Sequence, residues 1–201
     1  MNKEQIIYIK LVVWFLALLP LARLVYLGFN DSLGANPIEF VEHSTGTWGL
    51  VFLLVTLSMT PIRLLTGQVW QIQLRRSLGL FMFFYACLHI VTYVWLDFAF
   101  IWGEIVKDVA KHPRILVGFA AFILTIPLAA TSNSYMIKHL KTKWKKLHQV
   151  VYLIAMLAVL HFLLLVKKDL TEPFYYAIVL AFLLGIRIYF RYRTKNINQK
   201  I

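Results

Sequence analysis

Two histidines of this chain lie deep inside long apolar segments. His89 and His161 are surrounded by hydrophobic side chains, and an imidazole in hydrocarbon costs free energy unless a partner satisfies it. Each stands thirteen residues after the edge of its segment, at Arg76 and at His148 respectively. At about 1.5 Å per residue, both imidazoles rise roughly 20 Å from those edges. The spacing therefore predicts two imidazoles at matching depth in a membrane.

The chemistry that such a pair supports is axial ligation of a haem iron. Two neutral imidazoles that face each other from different helices supply both axial ligands, and the apolar wall around them tunes the redox potential. The chain has no C-x-x-C-H motif for covalent attachment, and Cys87 is its only cysteine, so the predicted haem is b-type. The alternative for either histidine alone is a helix-to-helix hydrogen bond, worth about 0.6 to 2 kcal/mol.

A second haem nearer the cytoplasmic side would need a second pair of ligands. The fifth apolar segment offers His148, but the corresponding position of the third is Arg75, which stays protonated and cannot ligate iron. The sequence thus predicts either a lower haem with one protein ligand or another role for His148. Arg75 and Arg76 are candidates to pair with haem propionates, a quinone or a phosphate-bearing cofactor. The alternative is that both are ordinary topology-setting cations.

The remaining histidines are weaker candidates for a site. His43 precedes the second apolar segment in what we expect to be an outer loop. There it is a candidate for proton handling or for docking a partner. His112 and His139 stand among polar neighbours, and we expect them to be solvated.

The composition requires a lipid environment. Of 201 residues, 60% are hydrophobic and 15% are charged, and the mean hydropathy is +0.71, whereas a soluble domain is about half apolar and about a quarter charged. Six apolar runs of roughly 20 residues occupy about 120 positions. We therefore expect one integral-membrane domain over residues 1–201 and no built-in nucleotide-binding domain. The predicted fold class is an all-α integral membrane protein, a six-helix haem-binding bundle.

The predicted transmembrane helices cover residues 6–29, 47–65, 77–98, 115–131, 148–166 and 173–191. Lysines and arginines cluster after the second and fourth segments and at the C-terminal end, whereas most acidic residues fall in the opposite loops. Because cytoplasmic loops carry an excess of cations, both termini are predicted to be cytoplasmic. The same rule accounts for the net charge of +12, so no nucleic-acid partner is expected.

Two other function classes stay open on these residues alone. One is a proton-conducting or transport bundle, in which the intramembrane histidines relay protons. The other is a passive membrane anchor for a reductase. Motifs for zinc proteolysis, serine hydrolysis and nucleotide binding do not occur in the sequence.

Several short stretches are similar to those of a known family. They are Leu-Gly-Ala-Asn-Pro at 33–37, His-Ser-Thr-Gly at 43–46, Thr-Pro-Ile-Arg at 60–63, Arg-Arg-Ser-Leu-Gly-Leu at 75–80, Leu-His-Ile-Val-Thr-Tyr at 88–93 and Leu-His-Gln-Val-Val-Tyr at 147–152. Together, and in this order over nearly the whole chain, they resemble MsrQ (formerly YedZ). That family supplies the haem-binding membrane subunits of bacterial periplasmic methionine sulfoxide reductase systems, within the ferric-reductase-like transmembrane superfamily.

The resemblance implies an electron-transfer subunit rather than the catalytic sulfoxide-reducing subunit. It implies six helices in the bacterial inner membrane, one or two b-type haems, flavin mononucleotide (FMN), and electrons taken from the quinone pool. The implied recipient is a periplasmic molybdenum-containing methionine sulfoxide reductase, which repairs oxidised periplasmic proteins. The family's haem histidines fall on His89, His148 and His161.

Overall fold

All regular elements of the described residues are helical. The computed structural model describes residues 2–166 and 169–198. The helices are α1 (Lys3–Phe29), α2 (Pro37–Thr66), α3 (Arg75–Val91), α4 (Trp102–Lys111), α5 (Pro113–Ala130), α6 (Ser134–Leu140), α7 (Thr142–His148), α8 (Val151–Leu165) and α9 (Thr171–Asn198). A 3₁₀ turn, Trp70–Leu74, precedes α3, and a π-helical turn, Thr92–Asp97, follows it.

Six helical stretches are long and apolar enough to cross a membrane. They are Glu4–Phe29, Pro37–Thr66, Trp70–Asp97, Pro113–Ala130, Thr142–Leu165 and Thr171–Arg193. The all-α class with six membrane-crossing helices is therefore confirmed. The cytoplasmic placement of the termini depends on the charge distribution alone and stays a prediction.

The second crossing helix begins ten residues earlier than the sequence predicts. Asn36 accepts a hydrogen bond from the Glu39 amide at 3.3 Å, and Pro37 occupies the first helical turn. An asparagine cap followed by such a proline is a strong helix start. The expected outer loop around His43 was wrong, because His43 lies on α2. The short helix α4 has no counterpart among the predicted helices.

The bundle has two ends and two main helix pairs. The α4 end carries the connections α1–α2, α3–α5 and α8–α9, and the α6–α7 end carries the others. The most extensive packing joins α2 to α3 and α5 to α8. Leucines of α2 and aromatic residues of α3 form the centre of the core, including Leu53, Leu57, Phe81 and Tyr85.

A proline inside α1 is accommodated by a tyrosine from α3. Pro20 has no N–H and disturbs the hydrogen-bond ladder around it. The fully buried Tyr85 hydroxyl donates to the Ala17 carbonyl at 2.7 Å and accepts from the Leu21 amide at 3.2 Å. The hydroxyl thus bridges a donor and an acceptor four residues apart in α1.

The proline of α2 is accommodated from α9. Pro61 offers no N–H to the carbonyl of Leu57, four residues earlier. Arg187 donates to that carbonyl through Nη2, and through Nη1 to the hydroxyl of Tyr152 on α8 at 2.6 Å. Because lipid offers no water to satisfy a free carbonyl, Arg187 completes the ladder of α2. It also ties α9 to α2 and α8.

We predict that Arg187→Met lowers the free energy of unfolding by about 1 to 2 kcal/mol, because the Leu57 carbonyl loses its donor. In a Pro61→Ala background, the restored amide serves Leu57, so the same change costs less. A double-mutant cycle measured in lipid bicelles tests this coupling. Exposed Arg191 of the same helix is the matched control, and Arg191→Met should change stability by less than about 0.5 kcal/mol. Equal losses with and without Pro61 would contradict the assignment.

Candidate cofactor site

A cavity of about 700 Å³ lies between α2, α3, α5 and α8. Its volume falls within the range of about 300 to 1,000 Å³ that is usual for cofactor and ligand sites. The walls are largely apolar, with Leu50, Leu53, Met82, Phe119, Phe122 and Ile154 among the lining residues. Charged side chains line the cavity toward the α4 end. Such a space suits a large, mostly apolar ligand with a polar edge.

His89 and His161 meet in this cavity. Their ring centroids are 6.3 Å apart and their planes are inclined by 71°. His89 comes from α3 and His161 from α8, so the two helix pairs each contribute one imidazole. The matching depth that the spacing predicts is thus realised as a direct juxtaposition.

Each imidazole is fixed by a backbone carbonyl of a neighbouring helix. His89 Nδ1 lies 2.9 Å from the Glu42 carbonyl oxygen of α2, and His161 Nδ1 lies 2.7 Å from that of Arg114 on α5. A carbonyl only accepts, so Nδ1 carries the proton in both rings and Nε2 keeps a lone pair. Among residues 2–166 and 169–198, neither Nε2 has a hydrogen-bond partner. A hydrogen bond from Nδ1 is the outer contact that a metal-binding histidine usually has, so both rings are suited to bind a metal through Nε2.

A glycine makes room for each ring. A Cβ at Gly46 would stand 3.1 Å from both Cε1 and Nδ1 of His89, and a Cβ at Gly118 would stand 2.7 Å from Cε1 of His161. Each glycine follows the carbonyl residue by four positions. Each histidine follows that residue by 47 positions. The two halves of the site repeat one local arrangement on two helix pairs.

The arrangement fits an iron whose other ligands come from a macrocycle. A metal–imidazole nitrogen bond is about 2 Å long, so two imidazoles on opposite sides of one ion have ring centres roughly 6 Å apart. That agrees with the observed 6.3 Å. The described residues contain no group of three or more histidine, cysteine or acidic side chains that could hold an ion alone. Two protein ligands suit a porphyrin, which supplies four equatorial nitrogens.

The predicted inner residues lie outside this cavity. His148 ends α7, stacks on Trp144 with ring centroids 3.9 Å apart, and has a buried Nε2 without a hydrogen-bond partner. Arg75 begins α3 and lies within electrostatic range of His148. Arg76 reaches Ser134 at 3.4 Å. Arg75 and His148 therefore lie near one another, and they are separate from His89 and His161.

His43 lies at the mouth of the cavity. Its ring packs edge-on against Phe162 with centroids 5.7 Å apart, and Nε2 stands 3.9 Å from a Glu172 carboxylate oxygen. The side chain is half exposed, and it lines the cavity with His89 and His161. His43 therefore bridges the site and the surface at the α4 end.

A family model and several similar proteins all relate this chain to haem-binding and ferric-reductase-like membrane proteins. Residues 45–159, more than half of the chain, match the family described as ferric reductase like transmembrane component. A protein-methionine-sulfoxide reductase haem-binding subunit MsrQ from Herminiimonas arsenicoxydans is 46% identical, over 100% of this chain and 93% of the relative. MsrQ from Ralstonia nicotianae is 48% identical over 92% of this chain and 87% of its own length. MsrQ from Xanthomonas euvesicatoria is 47% identical over 94% and 89%.

The chain belongs to the MsrQ family. The resemblance noted from short stretches of sequence is thereby confirmed. The three relatives are named as haem-binding subunits, which agrees with the fit of the facing imidazoles to a porphyrin iron.

Sequence reasoning missed the outer partners of the two histidines. Glu42 and Arg114 act through main-chain carbonyls, which every residue has, so their side chains give no signal. A weak signal is available in the repeated spacing, since a glycine precedes each histidine by 43 residues. The repeated spacing can be interpreted only once the helices that carry the glycines, α2 and α5, are placed beside the helices that carry the histidines.

We predict that Gly118→Ala weakens haem binding by about tenfold or more, because overpacking against His161 costs roughly 1 to 3 kcal/mol. Gly46→Ala should weaken it less, since the corresponding contacts with His89 are longer. Haem titration of the purified chain, followed at the Soret band, gives both affinities. A Cβ at Gly185 meets nothing within 4 Å, so Gly185→Ala is the control. Unchanged affinity in Gly118→Ala would contradict this account of the ring's position.

Proposed function

We propose that the chain is a b-type cytochrome that passes electrons from membrane quinol to a periplasmic molybdenum-containing methionine sulfoxide reductase. The observation that carries the proposal is the facing pair, His89 and His161, with both Nδ1 atoms hydrogen-bonded and both Nε2 atoms available. In this role the chain is an electron-transfer subunit, and the sulfoxide chemistry belongs to its partner. The relatives' names place them in methionine sulfoxide reductase systems, which supports this assignment.

The chain's own residues orient the cofactor and tune it. When bound, haem b supplies one-electron chemistry at its iron. Donation from Nδ1 to the carbonyls of Glu42 and Arg114 holds each ring in place and increases the basicity of Nε2. The apolar walls exclude water, and a dry surrounding is one of the levers that set the potential of a haem.

We propose that His148, Arg75 and Arg76 form an inner cofactor site for a second haem, FMN or the quinol headgroup. The buried, unpartnered Nε2 of His148 supports a ligand there. The described structure gives the Arg75 guanidinium no hydrogen bond, and Arg63 and Arg187 lie within its electrostatic range. Such a concentration of cations favours a ligand that carries anionic groups.

The proposed setting is the bacterial inner membrane, with a single multi-pass domain over residues 1–201 and cytoplasmic termini. The cation-rich α6–α7 end then faces the cytoplasm. The facing histidines lie toward the α4 end, which then faces the periplasm. This position brings the haem proposed to be held by His89 and His161, the upper haem, close to a periplasmic acceptor, with His43 at the surface between them.

The proton-relay alternative finds less support in the geometry. A relay needs successive groups that both give and take a proton. The Nδ1 protons of His89 and His161 instead end on main-chain carbonyls, which are acceptors only. The passive-anchor alternative gives no reason for two available imidazole nitrogens that converge in one cavity.

We expect the purified chain to show a Soret band and a sharp α band after dithionite reduction. His89→Ala and His161→Ala should each remove the upper haem, because a single axial imidazole leaves the iron without its second protein ligand. His112→Ala should leave the spectrum unchanged, since His112 contacts Asp108 and does not line the cavity. Iron and flavin are quantified per polypeptide in the same samples.

Two results of these measurements would contradict the proposal. A chain that stays colourless after haem supplementation would refute the cytochrome proposal. A spectrum that survives both His89→Ala and His161→Ala would refute the assignment of the ligands. His148→Ala should remove only the inner cofactor, which is read as a partial loss of iron or flavin.

We also predict that membranes containing the chain reduce the purified periplasmic partner when a quinol is supplied. The initial rate should fall more than tenfold in His161→Ala, because the upper haem is the last carrier before the partner. His112→Ala again serves as the control. If His161→Ala supports the full rate while the partner stays membrane-bound, the chain is a passive anchor.

A further inference from the structure

Among the charged side chains around the cavity, the acidic ones have polar partners and the arginine has none in the described residues. Four carboxyl groups and one arginine, Arg114, belong to the residues that line it. Glu42 and Asp97 share a hydrogen bond between their carboxyl groups. Glu39 accepts from the side chain of Asn36 at 2.9 Å. The acids therefore interact with other groups rather than with the arginine.

The fourth carboxyl group is also occupied. Asp108 on α4 accepts a hydrogen bond from the Tyr93 hydroxyl at 2.7 Å. Its other oxygen lies 2.9 Å from His112 Nδ1. Each acid at the mouth thus has a polar partner within the described chain, and none of these partners is Arg114.

The Arg114 guanidinium has no such partner. In residues 2–166 and 169–198 it forms no ion pair and no side-chain hydrogen bond, although its main-chain oxygen holds His161. Arg114 is half-buried and is the only arginine among the described residues that line the cavity. A half-buried guanidinium beside an apolar ligand cavity is a ready partner for a carboxylate, which it binds through two parallel N–H groups.

We infer that Arg114 binds a carboxylate of the ligand in this cavity, namely a propionate of the porphyrin whose iron His161 ligates. The inference rests on the proposed function and deepens it. One residue then acts twice on the same cofactor. Its main-chain oxygen orients the axial imidazole, and its guanidinium anchors the polar edge of the macrocycle toward the α4 end.

Because the two roles use different groups of Arg114, a side-chain substitution tests the guanidinium without removing the main-chain oxygen. Arg114→Gln removes the cation but keeps the carbonyl that fixes His161. Arg114→Lys keeps the charge but loses the planar two-donor geometry. Arg23→Gln is the matched control, because Arg23 is an exposed arginine near the α4 end of α1 and does not line the cavity.

The experiment titrates the haem-free full chain in detergent with haem and with haem dimethyl ester, which lacks the propionate charges. The wild-type chain and Arg23→Gln should prefer haem over the ester by about tenfold or more, as expected for a charge-assisted pair. In Arg114→Gln the preference should disappear, and in Arg114→Lys it should be intermediate. The midpoint potential of the upper haem should fall in Arg114→Gln, because a nearby cation disfavours the more positive oxidised iron.

The possible failures are distinguishable. If the wild-type chain binds haem and its ester equally, or if Arg114→Gln keeps the wild-type preference, the role of Arg114 is refuted and the cytochrome assignment stands. If the wild-type chain binds neither porphyrin, the proposed function and this inference both fall. Because the comparison of the two porphyrins on the wild-type chain needs no variant, the inference stays testable even if Arg114→Gln does not fold.

Discussion

The site depends on one interaction that occurs twice, the hydrogen bond from a histidine Nδ1 to a carbonyl on the neighbouring helix. This bond sets the tautomer, and so it decides which nitrogen is free to bind a metal. The glycine one turn further along the carbonyl's helix lets the ring approach that closely. Without both features, His89 and His161 would be two buried imidazoles at similar depth rather than a converging pair.

The hydrocarbon of a membrane offers no water to hydrogen-bond with free main-chain groups, and this constraint explains two further contacts in the bundle. Two prolines interrupt the main-chain ladders of α1 and α2, and each interruption receives a side chain from another helix. Tyr85 serves α1 and Arg187 serves α2. These contacts join helices that are distant in sequence, and the Arg187 contact holds α2, which carries the carbonyl and glycine beside His89. Arg187, an arginine within a membrane-crossing helix, thus has a structural task.

The sequence was sufficient for the class of fold and for the depth of the two histidines, because both follow from segment lengths and residue spacing. It was insufficient wherever a main-chain group does the work, as at Glu42 and Arg114. The start of α2 is a different case. Asn36 and Pro37 are a recognisable helix start, but the polar residues after them resemble a loop in composition. The partnership of Pro61 with Arg187 could not be predicted, because nothing in one segment specifies the distant donor.

The repetition of one motif on α2–α3 and on α5–α8 has a consequence for biogenesis. Each pair builds its own half-site from local packing, yet neither half can hold a porphyrin iron on both sides. A cofactor that requires both halves stabilises only their docked state. Under the proposed ligation, insertion of the prosthetic group would lock the two helix pairs together, and the folded lifetime of the membrane protein would be coupled to the cell's porphyrin supply.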